Sequence, residues 1–252
     1  MATRKKSAKC MRAWTSGKIT DPVFFYRHHA PKIGYNPLMT RADAIKRAAK
    51  PVVFVACLGP LAWIAWAAIA SGLDPSGPLG ANPIEYINRY LGDWAIRFLL
   101  GALAITPLRG ITGWVAVMRF RRMIGLYAFF YVCLHLSSYI GLDQFFDWRE
   151  IWNDIIKRNY ITVGMVTFVL LAPLAATSTN AMVKRLGGKR WVNLHKLVYG
   201  AGILACFHFY MMRKGVQLEP IIYAGICAVL LGYRVVKHLK KKAQLNPKAG
   251  AA

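Results

Sequence analysis

Two stretches decide how this chain is read: Ile124–Leu142 (IGLYAFFYVCLHLSSYIGL) and Leu194–Met212 (LHKLVYGAGILACFHFYMM). Each is apolar over 19 residues, long enough for a membrane helix of about 20 residues, and each carries histidine. His135 lies inside the first; His195 opens the second and His208 lies deep within it. An ionisable ring in hydrocarbon costs free energy unless it has a partner, so it marks a functional position. For a neutral imidazole between helices the natural partner is a metal, and in a helical bundle that metal is commonly haem iron. Two buried histidines bonded to carbonyls are the plainer alternative.

The 252 residues are 56% hydrophobic yet carry a net charge of +24. The excess sits between apolar runs and in the tails, as in a membrane protein with basic cytoplasmic segments rather than a nucleic-acid-binding face. Six spans are predicted, at Val52–Ala70, Trp94–Leu108, Ile124–Leu142, Tyr160–Ser178, Leu194–Met212 and Pro220–Val236. The fold class is therefore all-α, a six-helix transmembrane bundle. Residues 1–50 form a basic N-terminal extension, 51–236 the membrane domain and 237–252 a basic tail. The two tails and the connectors on their side, counted with Lys196 and Arg234 at the adjoining span ends, hold 27 Lys or Arg against two acids, and the three opposite loops hold six against eight. The positive-inside rule then places both termini in the cytoplasm. The extension reads as a retained tail lying near anionic lipid, with a short surface helix over Arg41–Lys50; its His28 and His29 read as solvated.

The third and fifth spans both run outward, so His135 and His208 reach similar depth in the outer half of the bilayer. Two parallel helices could present them to opposite faces of one haem. Ala128 and Ala201, seven residues earlier in each, are expected to leave room for a flat macrocycle. Phe129, Phe130, Tyr131, Tyr139, Phe207, Phe209 and Tyr210 are its expected walls. His195 lies about 20 Å lower and about 220° around the helix from His208. Four roles stay open for it: second haem, flavin or propionate contact, quinone contact, or plain interfacial histidine. Arg97 is expected to snorkel toward Asp93 or to meet a propionate. The segment Asp143–Asn159, acidic and aromatic, reads as an interfacial helix and a candidate docking surface. The five cysteines form no CxxC pair, which argues against zinc, iron–sulfur and covalent haem attachment. No GxGxxG or Walker loop is present for a nucleotide domain.

The runs Trp94-Ala-Ile-Arg-Phe-Leu-Leu, Ile105-Thr-Pro-Leu-Arg, Arg121-Arg-Met-Ile-Gly-Leu-Tyr-Ala-Phe-Phe-Tyr and Leu134-His-Leu-Ser-Ser-Tyr closely resemble the MsrQ (YedZ) family. Lys157-Arg-Asn-Tyr-Ile-Thr-Val-Gly, Leu174-Ala-Ala-Thr-Ser-Thr-Asn and Trp191-Val-Asn-Leu-His-Lys-Leu-Val-Tyr extend the likeness over residues 52–236. The resemblance implies a ferric-reductase-like domain in the bacterial inner membrane, with b-type heme and FMN. It implies an electron-transfer subunit rather than the catalytic one. Electrons would pass from the quinone pool or a flavin reductase to a periplasmic molybdopterin-dependent methionine-sulfoxide reductase, which repairs oxidised proteins. The family's histidines fall on His135, His195 and His208. Two other functions compete: a self-contained transmembrane metalloreductase, and a transporter or assembly factor whose histidines carry protons.

Overall fold

The computed structural model describes residues 41–213 and 217–245, and the expectations for His28, His29 and the rest of residues 1–40 lie outside them. Every regular element among the described residues is helical: α1 Arg41–Ser71, α2 Pro83–Thr112, α3 Met118–Ser138, α4 Trp148–Lys157, α5 Asn159–Ala176, α6 Asn180–Leu186, α7 Gly188–Leu194, α8 Leu197–Met212 and α9 Leu218–Leu245. Five segments are long and apolar enough to cross a membrane: 48–71, 83–112, 115–143, 159–176 and 218–244. The remaining expected span, the fifth in order, is α8, the shortest of the six at 16 residues. It packs against α5, α9 and α2.

Local chemistry explains the boundaries. Asn82 caps α2 by accepting the Glu85 N–H at 3.3 Å, and Pro83 fills the first turn, where no N–H is needed. The helix does not stop at Pro107. It runs on to Thr112 and ends where Gly113 turns left-handed (φ 72°), returning its N–H to the Arg109 carbonyl. The expected second span is thus only the middle of a 30-residue helix. Its first turns carry Glu85, Asn88, Arg89 and Asp93, a polar stretch that hides the helix from a hydropathy reading. At the other extreme α9 continues through residues 237–245, expected in a tail.

Tyr131 ties the first three helices together. In α1, Pro60 has no N–H and its ring crowds the preceding turn. Next to it, Leu61 N–H and the Cys57 carbonyl both turn to a side chain from another helix. The Tyr131 hydroxyl fills the gap, accepting from Leu61 N–H at 3.0 Å and donating to the Cys57 carbonyl at 3.0 Å. Tyr127 does likewise one turn away, donating to the Phe54 carbonyl at 2.9 Å. A buried core of Cys57, Ile64, Leu91 and Ala95 closes around this hinge. A second core joins α2, α8 and α9 through Leu103, Cys206 and Cys227. A third joins α2, α3, α5 and α8 through Leu99, Ala128, Leu171 and Ala201. The outward faces of the bundle expose Val55, Ile69, Val169 and Val229, as lipid-facing sides do.

Tyr131→Phe leaves the Leu61 N–H and the Cys57 carbonyl without a partner in an apolar layer. The expected cost is about 1–3 kcal/mol, read as a lower melting temperature of the detergent-solubilised chain. An unchanged melt would mean that the hydroxyl bridge carries no weight.

Candidate functional site

His135 and His208 meet between the helices. His135 is in the last turn of α3 and His208 near the end of α8. Their ring centres are 6.3 Å apart and their planes cross at 73°. His135 Nδ1 lies 2.9 Å from the Asn88 carbonyl oxygen of α2, and His208 Nδ1 lies 2.8 Å from the Tyr160 carbonyl oxygen of α5. A carbonyl can only accept, so both rings carry their proton on Nδ1 and both keep the Nε2 lone pair.

The two half-sites are built alike. Four residues after each acceptor stands a glycine on the same helix, Gly92 after Asn88 and Gly164 after Tyr160. A Cβ at Gly92 would lie 3.2 Å from His135 Cε1 and Nδ1; one at Gly164 would lie 2.9 Å from His208 Cε1. Each ring therefore rests on bare backbone while it donates one turn back. Asn88 adds a second clasp, its side-chain amide donating to the His135 carbonyl at 3.2 Å and to Ser138 Oγ at 2.9 Å.

Both histidines line a cavity of about 430 Å³, within the usual range for cofactor pockets of about 300–1,000 Å³. Ala95, Leu99, Val132, Phe168, Leu171 and Ala205 form its apolar walls; Arg89, Arg158 and Arg213 stand at its polar mouth with Asp93 and Asp143. Arg213 reaches Asp93 and Glu219 at 3.4 Å each and lies over the Phe209 ring. A metal–imidazole bond is about 2 Å long and the ring centre lies about 1 Å beyond the nitrogen, so two imidazoles on one ion hold their centres about 6 Å apart. The observed 6.3 Å fits. Two free Nε2 atoms, an apolar slot and basic groups at its mouth fit a haem with anionic propionates.

His195 stands apart, in the turn between α7 and α8. Its ring stacks on Trp191 at 3.8 Å, with Nδ1 3.1 Å from the Trp191 carbonyl. Nε2 is buried and makes no hydrogen bond of ordinary geometry. Burial, reinforced by the charges of Arg121 and Arg122, pushes this imidazole below its usual range. Trp191 is itself held, donating to the Thr177 carbonyl at 2.9 Å, with Arg122 over its face at 5.8 Å. His195 therefore does not join the pair made by His135 and His208.

Three expectations are corrected by packing. Ala128 and Ala201 do not line the cavity; they are fully buried in the helix–helix core beside it, and the room for a flat ligand comes from glycines on the facing helices. Of the expected walls, Tyr139 and Phe209 line the cavity. Phe130, Phe207 and Tyr210 are exposed, and Tyr131 serves the α1 hinge. Arg97 does not line the cavity; it attracts Asp93 electrostatically without a salt bridge, its Nε donates to the Tyr223 hydroxyl at 2.8 Å and its guanidinium lies over Trp94. The sequence reading missed the glycines, although the spacings Asn88-x-x-x-Gly92 and Tyr160-x-x-x-Gly164 were there to be seen.

Comparison with known proteins bears on the family. Residues 91–206 match the family model of the ferric reductase like transmembrane component. Over 81% of this chain and 97% of its own length, the protein-methionine-sulfoxide reductase heme-binding subunit MsrQ of Rhodospirillum rubrum is 53% identical. The proteins of the same name from Polaromonas naphthalenivorans and Caulobacter vibrioides are 52% and 46% identical, covering 77% and 78% of this chain and 87% and 90% of their own.

Gly164→Ala forces the His208 ring off its carbonyl, whereas Gly92→Ala asks only a few tenths of an ångström of His135. Overpacking of this kind costs about 1–3 kcal/mol, so Gly164→Ala should lower the thermal midpoint more than Gly92→Ala. Equal midpoints would show that the close ring–backbone approach is not tight.

Proposed function

The chain belongs to the MsrQ family of heme-binding subunits of protein-methionine-sulfoxide reductase, and on that footing we propose that it carries electrons across the bacterial inner membrane through a b-type haem held by His135 and His208. The observation that supports this reading most directly is the pair itself: two imidazoles 6.3 Å apart, both with Nδ1 committed to a carbonyl. When bound, the haem supplies one-electron exchange at its iron.

The protein's residues would do the rest. His135 and His208 would hold the iron through their free Nε2 atoms, and a haem so held would exchange electrons rather than bind oxygen. The Nδ1–H bonds to Asn88 and Tyr160 fix each ring's rotation and make its Nε2 a better donor. The apolar walls exclude water, and Arg89, Arg158 and Arg213 offer charge to carboxylates at the mouth.

The excess of Lys and Arg at the His195 end supports a reading with that end in the cytoplasm and the cavity mouth in the periplasm. Electrons would then enter from the quinone pool or a flavin reductase on the His195 side. They would leave toward a periplasmic molybdopterin-dependent catalytic subunit that reduces methionine sulfoxide in damaged proteins. His195, Trp191 and Arg122 offer an aromatic face, a buried ring nitrogen and a cation, and this is where a haem, FMN or quinone contact belongs in this reading. On the opposite side α4 turns Trp148, Trp152 and Ile156 outward beside the mouth, a surface available to the catalytic partner.

Reduced-minus-oxidised spectra of the purified chain should show a low-spin b-type haem. His135→Ala and His208→Ala should each abolish that low-spin signal. His195→Ala should leave it in place. A wild-type protein without the signal, or one that keeps it in both of the first two variants, contradicts the assignment.

A further inference from the structure

We propose that Asp154 is the positioning residue of the histidine pair: its one carboxylate joins the two segments that orient His135 and His208. The proposal rests on the haem reading above. Among the described residues Asp154 is the only acid in the buried class, at 3% exposure. It belongs to neither histidine-bearing helix. It comes from α4, the short helix between the third and fourth spans.

Its two oxygens are spent in two directions. Oδ2 accepts from the Tyr139 hydroxyl at 2.9 Å. Tyr139 directly follows α3, and its N–H is bonded to the carbonyl of His135 itself. Oδ1 accepts from Arg158 Nε at 2.9 Å. Arg158 in turn donates to the Tyr160 hydroxyl at 3.3 Å, and the Tyr160 carbonyl accepts the His208 Nδ1–H. A continuous line of hydrogen bonds and short backbone links thus runs from one imidazole to the other, with the carboxylate at its centre. Tyr139, Arg158 and Tyr160 line the cavity and Asp154 does not. It acts through them.

The chemistry calls for a carboxylate. A carboxylate, acceptor-only and with two oxygens, can hold a neutral O–H and a guanidinium N–H on separate atoms at once, and its charge strengthens the bond to the guanidinium. The backbone is arranged to deliver it. Asp147 starts α4 by accepting the Arg149 and Glu150 N–H groups at 3.0 Å each, which sets the phase that turns Asp154 inward. At the far end Arg158 is extended (φ −107°, ψ 96°), so α5 begins at once and Tyr160 falls beside the clasp. The π-helical turn Tyr139–Asp143 leads the chain out of α3 at Tyr139; such turns recur at functional sites.

The test uses the full-length chain purified with its haem, as wild type and as Asp154→Ala, Asp154→Asn, Tyr139→Phe and Arg158→Gln. Ferric EPR and CO binding by the reduced protein report whether both axial nitrogens stay on the iron. Asp154→Ala should keep its haem but show a shifted or high-spin EPR signal, with CO binding raised roughly tenfold or more, the scale at which outer-shell partners act. Asp154→Asn, which offers one acceptor oxygen, should fall between. Tyr139→Phe and Arg158→Gln should each give part of the change, and neither should add to it when combined with Asp154→Ala. A merely structural role would lower stability and leave these spectra alone. Unchanged EPR and CO binding in a folded Asp154→Ala protein overturns the proposal; if that variant does not fold, unchanged spectra in both Tyr139→Phe and Arg158→Gln overturn it. Haem spectra indifferent to His135→Ala and His208→Ala would remove the haem reading itself, and this proposal with it.

Discussion

A neutral imidazole between apolar helices has one N–H to donate, and an unpaired donor there costs more than the hydrogen bond it forgoes. The bundle answers this by giving each ring the main-chain carbonyl of a neighbouring helix, one turn before a glycine. The rest of the arrangement depends on that choice. It fixes which nitrogen stays free, brings α3 against α2 and α8 against α5 without a side chain between ring and backbone, and sets the 6.3 Å between ring centres. The helix pairs that pack most extensively are the same two, α2 with α3 and α5 with α8.

The pairing also explains features that otherwise look like faults. α2 opens with Glu85, Asn88, Arg89 and Asp93, a polar run in a long membrane helix. Asn88 serves His135, and Arg89 and Asp93 belong to the mouth of the cavity. The buried Asp154 in an otherwise aromatic interfacial helix holds Tyr139 and Arg158 in place. Two arginines in the apolar layer are likewise engaged by a neighbour, Arg97 on Tyr223 and Arg234 on the Leu103 carbonyl.

What could be read from the sequence follows from what hydropathy and spacing encode. Five of the six spans, the shared depth of His135 and His208 and the separateness of His195 were all legible, because each depends on position along a helix. What was not legible depends on contacts between helices. The true start of α2 was hidden by its polar turns. Ala128 and Ala201 have the right spacing for a slot yet are buried in the core where α2, α3, α5 and α8 meet, and Gly92 and Gly164, on different helices from the rings they admit, make the room instead. Asp154 lies 19 residues from His135 and 54 from His208, and no single-helix pattern would connect it with either.

The central claim is that His135 and His208 share one iron. Pulsed EPR on ferric protein grown with ¹⁵N-imidazole histidine tests it directly. The account predicts two imidazole nitrogens coupled to one low-spin ferric centre, with the signal of that pair lost in either His135→Ala or His208→Ala and kept in His195→Ala. A single coupled imidazole, or a pair that survives His208→Ala and disappears with His195→Ala, would contradict it.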